Sequence, residues 1–588
     1  MTRRERIAFW AATLFTAATR IWGLARSPWD WDEILFSLGL RHYDVALHHP
    51  HPPGFPLFIA AAHVFRAIGF SDFHSLQALN LIAGILLVPA MLFLGRELSL
   101  SFSTSLIAAL FLAFFPNVWF FGETAFSDVP SIVLVVFACA IVLRGRRSDS
   151  AYIVGVIALA CAGAMRPQNL VIGFAPAMIA TWFRWRERRF AAIAIATIAF
   201  ATILIISFGA AAHFTGGWGR YSDALKAHQQ YITETDSFRN PNRPPLHHLL
   251  DDFFVRPYRA PLINTLITAF ALISLGVSLV KRRVPILIIV AAFAPFCLIA
   301  WLILDHFSAS RFSIGYAPMI AVLAADGVAL LSFARERIAW GIGIVTTAVM
   351  FAWTLPAIDL PRRNVSPPMQ SIEWIRAHVT PKARLYAHES MGPYTEYFLP
   401  DYRVEWTLEG PPVARLDHTT AWYLREGFSG QPGALNFTWP HERAWDVARR
   451  RYFEVFLVPL TETAQFGEGW YDAEDTGTTV WRWMSGHGMI LLPPIAGRSR
   501  LRLRLFVPLN VMKLPPSIVV RVNDAIIAAV RPRSSFVDIE QEFTANAGVR
   551  TIDITTDHVI NPLREHLSGD ARDLGVRLDS LEWIARDR

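Results

Sequence analysis

Trp29–Gly54 reads W-D-W-D-E-I-L-F-S-L-G-L-R-H-Y-D-V-A-L-H-H-P-H-P-P-G. An apolar run (7–25) precedes this stretch, and a long series of further apolar runs follows it. Three acids (Asp30, Asp32, Glu33), several histidines and a Pro-Pro-Gly turn are thus crowded beside a bilayer. Ionisable groups at membrane depth are costly and mark pathways or sites. The plainer alternative is a solvated interfacial loop with Trp29 and Trp31 as membrane anchors.

The surrounding chain carries the membrane reading. Hydrophobic residues make up 53% of 588, there are 20 tryptophans, and the mean hydropathy is +0.33. A spanning helix needs about 20 apolar residues. Such runs lie near 7–25, 74–95, 103–121, 129–144, 151–165, 169–183, 190–212, 261–280, 284–304, 312–333 and 338–357. The fold class expected is an α-helical polytopic membrane bundle of about 11 spans plus an interfacial helix. An external α/β domain and a C-terminal β-sandwich follow it. Basic clusters at Thr2–Arg6, Arg144–Arg147, Arg184–Arg189, Lys281–Arg283 and Arg335–Arg337 all fall on one side if Phe55–Gly69 lies along the interface. That side is taken as cytoplasmic, so the N-terminus is cytoplasmic and Trp29–Gly54, 123–128, 166–169, 213–260 and 305–311 face outward. The start, T-R-R-E-R before an apolar run, reads as a retained signal anchor.

The net charge of +7 is no nucleic-acid signature, because the basic residues cluster where topology explains them. Only four of the 55 basic side chains are lysines, so no single arginine is strong evidence of function. The three cysteines lie in apolar runs, which leaves the polar half without a disulfide framework. There is no G-x-G-x-x-G or P-loop. Beyond Asp359 the chain turns polar. Helix and strand patterns alternate to about 485, and short period-2 runs such as L-R-L-R-L-F-V-P follow. The expected domains are 1–357, 358–485 and 486–588. The long loop 214–260 reads as a lid with a short helix near Tyr221–Tyr231.

Several residues could carry chemistry. A carboxylate at Asp32, with Glu33 beside it, can act as a general base toward an acceptor hydroxyl. His51 is held between prolines in H-P-P-G. Glu123 and Asp128, in E-T-A-F-S-D-V-P, supply a second acidic pair, although Asp128 could instead simply cap a helix. Arg20, Arg166 and Arg311 sit at outer span ends, where guanidinium suits a phosphate and where snorkelling is the ordinary alternative. Tyr316, His213, His306 and Tyr221 are weaker candidates. No zinc-site spacing is present.

In order along the chain, W-D-W-D-E, H-P-P-G, S-D-V-P and R-F-S-I-G-Y-A-P resemble the glycosyltransferase C-type superfamily over about residues 1–357. The branch of protein O-mannosyltransferases and lipid A aminoarabinose transferases is the most similar. The resemblance implies an inverting glycosyltransferase that moves a sugar from a polyprenyl-phosphate donor to a hydroxyl on a glycan, lipid or protein. It implies Asp32 as the catalytic aspartate with Glu33 as partner, Asp128 as the second acid, and Arg311 facing the donor phosphate with Arg20 and Arg166. His51, Glu123 and Tyr316 are then substrate-binding candidates. A divalent cation (Mg or Mn) on Asp32 and Asp128 is left open. The implied location is the bacterial inner membrane, with the C-terminal domains periplasmic. H-P-P-G departs from the K-P-P-L of the aminoarabinose branch, which leaves the sugar open. A lipid-linked sugar flippase and a degenerate membrane-anchored scaffold are the alternatives.

Overall fold

The structure, a computed structural model, describes residues 1–588 except 238, 242, 258–259, 304–307, 334, 409–411, 416–420, 432, 449–450, 461–463, 476–479, 496, 545–549 and 587–588. The chain forms two compact units. One comprises 1–370 with 438–454, and the other 371–437 with 455–588.

The first unit is helical, and every expected apolar run lies on a helix. Among the described residues, six helices are long and apolar enough to cross a membrane: Asp72–Glu97, Phe190–Phe214, Pro261–Val280, Val284–Ile303, Ala309–Leu331 and Glu336–His378. A seventh is added if Phe102–Phe114 and Pro116–Gly122, which are bent by 60° at Phe115, count as one span. Eleven crossings are therefore not established. Asp128–Arg144 and Asp149–Met165 have 17 residues each, about 26 Å of helix against a ~30 Å core. Pro56–Ala67, the expected interfacial helix, has only 12 residues, and the apolar Val64 and Ile68 at its end are exposed.

Ion pairs tie together the helix ends far from Trp29–Gly54. Arg147 Nη2 bonds Glu97 Oε2 at 2.6 Å, and Arg184 Nη1 bonds Asp149 Oδ1 at 2.8 Å. At a neighbouring end, Arg283 makes two bonds of 2.6 and 2.8 Å to Asp326. Residues 438–454, which the sequence suggests belong to the α/β region, instead join this unit. Trp439, Ala444, Val447 and Phe453 enter its core, Trp439 Nε1 donates to the Val365 carbonyl at 3.0 Å, and Phe453 meets Trp29 at 6.1 Å. Trp29 is wholly buried among aromatics and does not face lipid.

The second unit holds three sheets. The first runs in the order 403–407, 384–388, 421–426, 454–460, 435–438, with a parallel pair on each side of Arg384–His388. Two further sheets face each other as a sandwich. Leu501, Leu503 and Leu505 of Arg498–Phe506 share a core with Ile490, Ile552 and Ile554 of the opposite sheet, while Arg502 and Arg504 point out. Period-2 alternation thus sorted apolar from charged side chains, as a half-buried strand requires. Val480–Met484, inside the stretch expected to alternate helix and strand, pairs with Arg577–Arg586 in the sandwich and not with the α/β sheet.

Candidate functional site

Asp32 is positioned by its neighbours. Asp30 is the N-cap of helix Trp31–Arg41 and accepts from the Asp32 amide at 3.0 Å. Glu33 completes a capping box. Its Oε2 accepts from the Trp29 and Asp30 amides (2.8 and 3.0 Å), and its Oε1 from the Ala125 amide at 2.9 Å. Glu33 therefore ties the helix start to loop 123–127, and burial pushes its carboxyl up to about 8. With both oxygens on backbone N–H groups, it fastens the site together and has no oxygen turned to a substrate.

Arg311 is the hub. Its Nε bonds Asp128 Oδ2 at 2.9 Å, its Nη1 bonds Asp32 Oδ2, and its Cζ lies 4.3 Å from the centroid of the Phe126 ring. Arg166 Nη1 pairs with the other oxygen of Asp128. Arg311 and Asp128 are buried, while Asp32 keeps 17% side-chain exposure, so the one open carboxylate is the proposed base. Two carboxylates and two guanidinia balance in charge, as buried ions must. Amide side chains fix the scaffold. Asn117 Nδ2 donates to the Ser310 carbonyl (2.7 Å) and Ser313 Oγ (2.9 Å) around Arg311. Asn169 Nδ2 donates to Ser131 Oγ and the Ala162 carbonyl (both 2.8 Å) beside Asp128 and Arg166. From helix Asp72–Glu97, Asn80 holds the Phe126 carbonyl at 2.6 Å, and Gln77 holds the Ala25 and Glu123 carbonyls at 2.9 Å. The sequence reading passed over all four. Their signal was polar amides inside or at the ends of apolar runs.

His51 lies next to Asp32, with Nδ1 3.9 Å from Asp32 Oδ1. Its ring packs against Phe36 (5.3 Å) and Phe55 (4.9 Å). Gly54, at φ +96°, closes the turn, and a Cβ there would sit 2.3 Å from Tyr43 Oη. The expected lid helix is Trp218–Tyr231. It clasps the His51 loop: Tyr221 Oη donates to the Pro53 carbonyl (2.9 Å), and Arg220 Nη2 bonds Asp44 Oδ2 (2.7 Å).

The remaining candidates lie elsewhere. Arg20 Nη1 faces Glu123 Oε1 at 3.8 Å in a separate buried pair, and Arg20 Nη2 donates to the Ala113 carbonyl. Burial pushes Glu123 up to about 8. Tyr316 Oη donates to the Phe253 carbonyl at 3.1 Å. Tyr316 also lines a small pocket of about 40 Å³ with Asn117, Asn264, Phe253 and Ser313. His306 lies outside the described residues. Among the described residues, no group of three or more His, Cys, Asp or Glu is placed to hold a metal. Asp32 and Asp128, the pair offered for a cation, have guanidinium between them, so this donor set does not fit a divalent ion.

No protein-family profile matches the chain, and no curated protein matches it. Solved structures do. ArnT from Cupriavidus metallidurans bound to undecaprenyl phosphate is 11% identical, with 78% of this chain and 98% of that one covered and a TM-score of 0.49. The Archaeoglobus fulgidus oligosaccharyltransferase with Zn and sulfate is 14% identical over 67% of this chain and 62% of its own, at 0.40. The arabinosyltransferase EmbB from Mycobacterium smegmatis is 11% identical over 98% and 64%, at 0.38. This chain thus spans under two thirds of the length of the latter two.

Proposed function

We propose that the protein is an integral-membrane glycosyltransferase. It moves a sugar from a polyprenyl-phosphate donor to an acceptor hydroxyl by inverting displacement. One observation carries the reading: Arg311 joins Asp32 to Asp128 in a buried cluster that also includes Arg166. Asp32 takes the acceptor proton as the oxygen attacks the anomeric carbon. Arg311 and Arg166 stabilise the phosphate that leaves, since a planar guanidinium fork can bind a phosphate through several N–H donors at once. Asp128 holds both arginines in place. The site faces the periplasm of a bacterial inner membrane, and the unit formed by 371–437 with 455–588 guides the acceptor.

The test incubates purified protein with a panel of polyprenyl-phosphate sugars and scores release of free polyprenyl phosphate. Release by the native chain with at least one sugar, and a loss of roughly 10²-fold or more in Asp32→Asn, is expected. A folded Asp32→Asn protein with undiminished transfer removes the assigned base.

A further inference from the structure

We propose that the acceptor's hydroxyl oxygen is held in the gap between Asp32 and His51, and that His228 on the lid helix closes this position from solvent. The proposal rests on Asp32 being the base.

The gap has the size of one atom. His51 Nδ1 is buried and has no hydrogen-bond partner among the described residues, and it stands 3.9 Å from Asp32 Oδ1. That separation is too long for a direct bond, but a single oxygen fits at about 2.8 Å from both atoms. A buried ring nitrogen without a partner is destabilising, so the vacant contact calls for a ligand atom. Nor can the ring easily turn to another partner. Phe36 and Phe55 pack against it, and the Gly54 amide donates to the His51 carbonyl at 3.0 Å, fixing the backbone. From the lid, the His228 ring stands 6.4 Å from both His51 and His48, and the Tyr221–Pro53 bond holds the lid helix at this loop.

The chemistry of this wall selects the ligand. The charged and titratable groups that act on His51 are Asp32, Arg311, His228 and Arg166. Burial, chiefly, with help from the two guanidinia, pushes the His51 imidazole down to about 3. Burial likewise lowers His228 and His48. Near neutral pH the wall is therefore a set of uncharged donors and acceptors, and both nearby guanidinia are engaged by carboxylates. An uncharged alcohol fits it, and a second anionic phosphate does not. In the step, the acceptor O–H bond breaks and its proton passes to Asp32 Oδ1. The oxygen forms its bond to the anomeric carbon as the bond from that carbon to the phosphate oxygen breaks, and the electron pair leaves with the phosphate. His51 keeps its Nδ1 proton and donates it as a hydrogen bond to the attacking oxygen, which makes it a positioning residue.

The test uses the full-length protein in detergent with the polyprenyl-phosphate sugar that supports turnover. Octyl glycosides serve as alcohol acceptors, and octyl phosphate as the anionic competitor. In His51→Asn the amide nitrogen lies near the place of Nδ1, and in His51→Gln it lies near Nε2. We expect His51→Asn to keep the acceptor KM within about 3-fold. His51→Gln and His51→Phe should raise it at least 10-fold, with donor KM unchanged. His228→Ala should increase release of polyprenyl phosphate without an acceptor several-fold, because water then enters. Equal damage in His51→Asn and His51→Gln, or preferred use of octyl phosphate, overturns the proposal. Undiminished turnover in Asp32→Asn instead overturns the parent reading. If His51→Phe does not fold, as judged by its thermal midpoint, the Asn and Gln pair decides.

Discussion

At the residue scale, the site depends on guanidinium geometry more than on charge alone. Arg311 reaches Asp128 through Nε and Asp32 through Nη1, two directions from one planar group. A lysine carries the same charge on one nitrogen and cannot hold both carboxylates in those directions. Arg311→Lys should therefore lose at least 10-fold in turnover while the protein still folds, and Arg311→Ala should lose more and melt earlier. Single-turnover kinetics with a thermal melt separates the two effects. Glu33 makes a different prediction. Its folded carboxyl sits at about 8, above the ordinary carboxylate value near 4.3. Between those values the folded state binds the proton more readily than the unfolded one. The stability this contributes is complete below the lower value and is lost as pH rises toward 8. The melting midpoint should fall from pH 5 to pH 8, and Glu33→Gln should flatten that fall. A pH-independent midpoint in the native protein would rule out the raised carboxyl. Only part of this was legible in the sequence. Asp32, Asp128, Arg166, Arg311 and His51 were visible as ionisable types at one end of apolar runs, and they do meet. Glu33 was read as a partner in chemistry because adjacent acids look alike in a string. Its fate was set by three backbone amides, one of them 92 residues away. The Arg20–Glu123 pair separated from the main cluster for the same reason: packing across helices, which no local spacing encodes, chose its partner.

At the scale of elements, the site is a loop clamped by a helix. The His51 turn holds its shape through Gly54, Tyr43 and Tyr221, and the lid helix Trp218–Tyr231 is held to the same turn by Tyr221 and Arg220. Gly54→Ala places a side chain at positive φ and against Tyr43 Oη, a strain of roughly 1–3 kcal/mol. Tyr221→Phe removes one hydrogen bond, a loss of about 1 kcal/mol. In both variants, amide exchange should speed up in 42–54 and 218–231 together, and remain unchanged in Asp72–Glu97. Faster exchange in only one of the two segments would mean that they are not mechanically joined. Among the described residues, six or seven helices have spanning length against eleven expected apolar runs, because hydropathy and helix length are separate criteria. Apolar composition marks burial in lipid and burial in protein alike. Helix Asp128–Arg144 is almost wholly buried, so its apolar residues serve the bundle core. The bend at Phe115 was hidden because Pro116 sits inside one apolar run, where proline is tolerated when neighbours take up the freed backbone groups.

At the scale of the whole helical unit, charge is sorted between the two ends. One end carries Arg144, Arg146, Arg147, Arg184, Arg186, Arg188 and Arg189, of which Arg147 pairs with Glu97 and Arg184 with Asp149. The other carries the buried Asp32–Arg311–Asp128 cluster and the lid. Basic residues stay on the cytoplasmic side during insertion, and the bias counts most in short loops close to span ends. The arginines around Asp32 do not weaken this bias, because Arg311 and Arg166 are buried and paired with acids. The lid end should therefore face outward. The three cysteines, Cys139, Cys161 and Cys297, can be replaced by small apolar residues to give a cysteine-free background. In that background, Ser222→Cys on the lid helix should react with a membrane-impermeant maleimide in intact cells, and Ser150→Cys only after lysis. Both positions belong to polar segments, so each reports the side on which its own segment lies. The reverse pattern would put the site on the face where nucleotide-linked donors are made, and the lipid-linked donor would lose its rationale. Labelling of both positions from outside would mean that an even number of crossings lies between them, and the sorting of charge would need another cause.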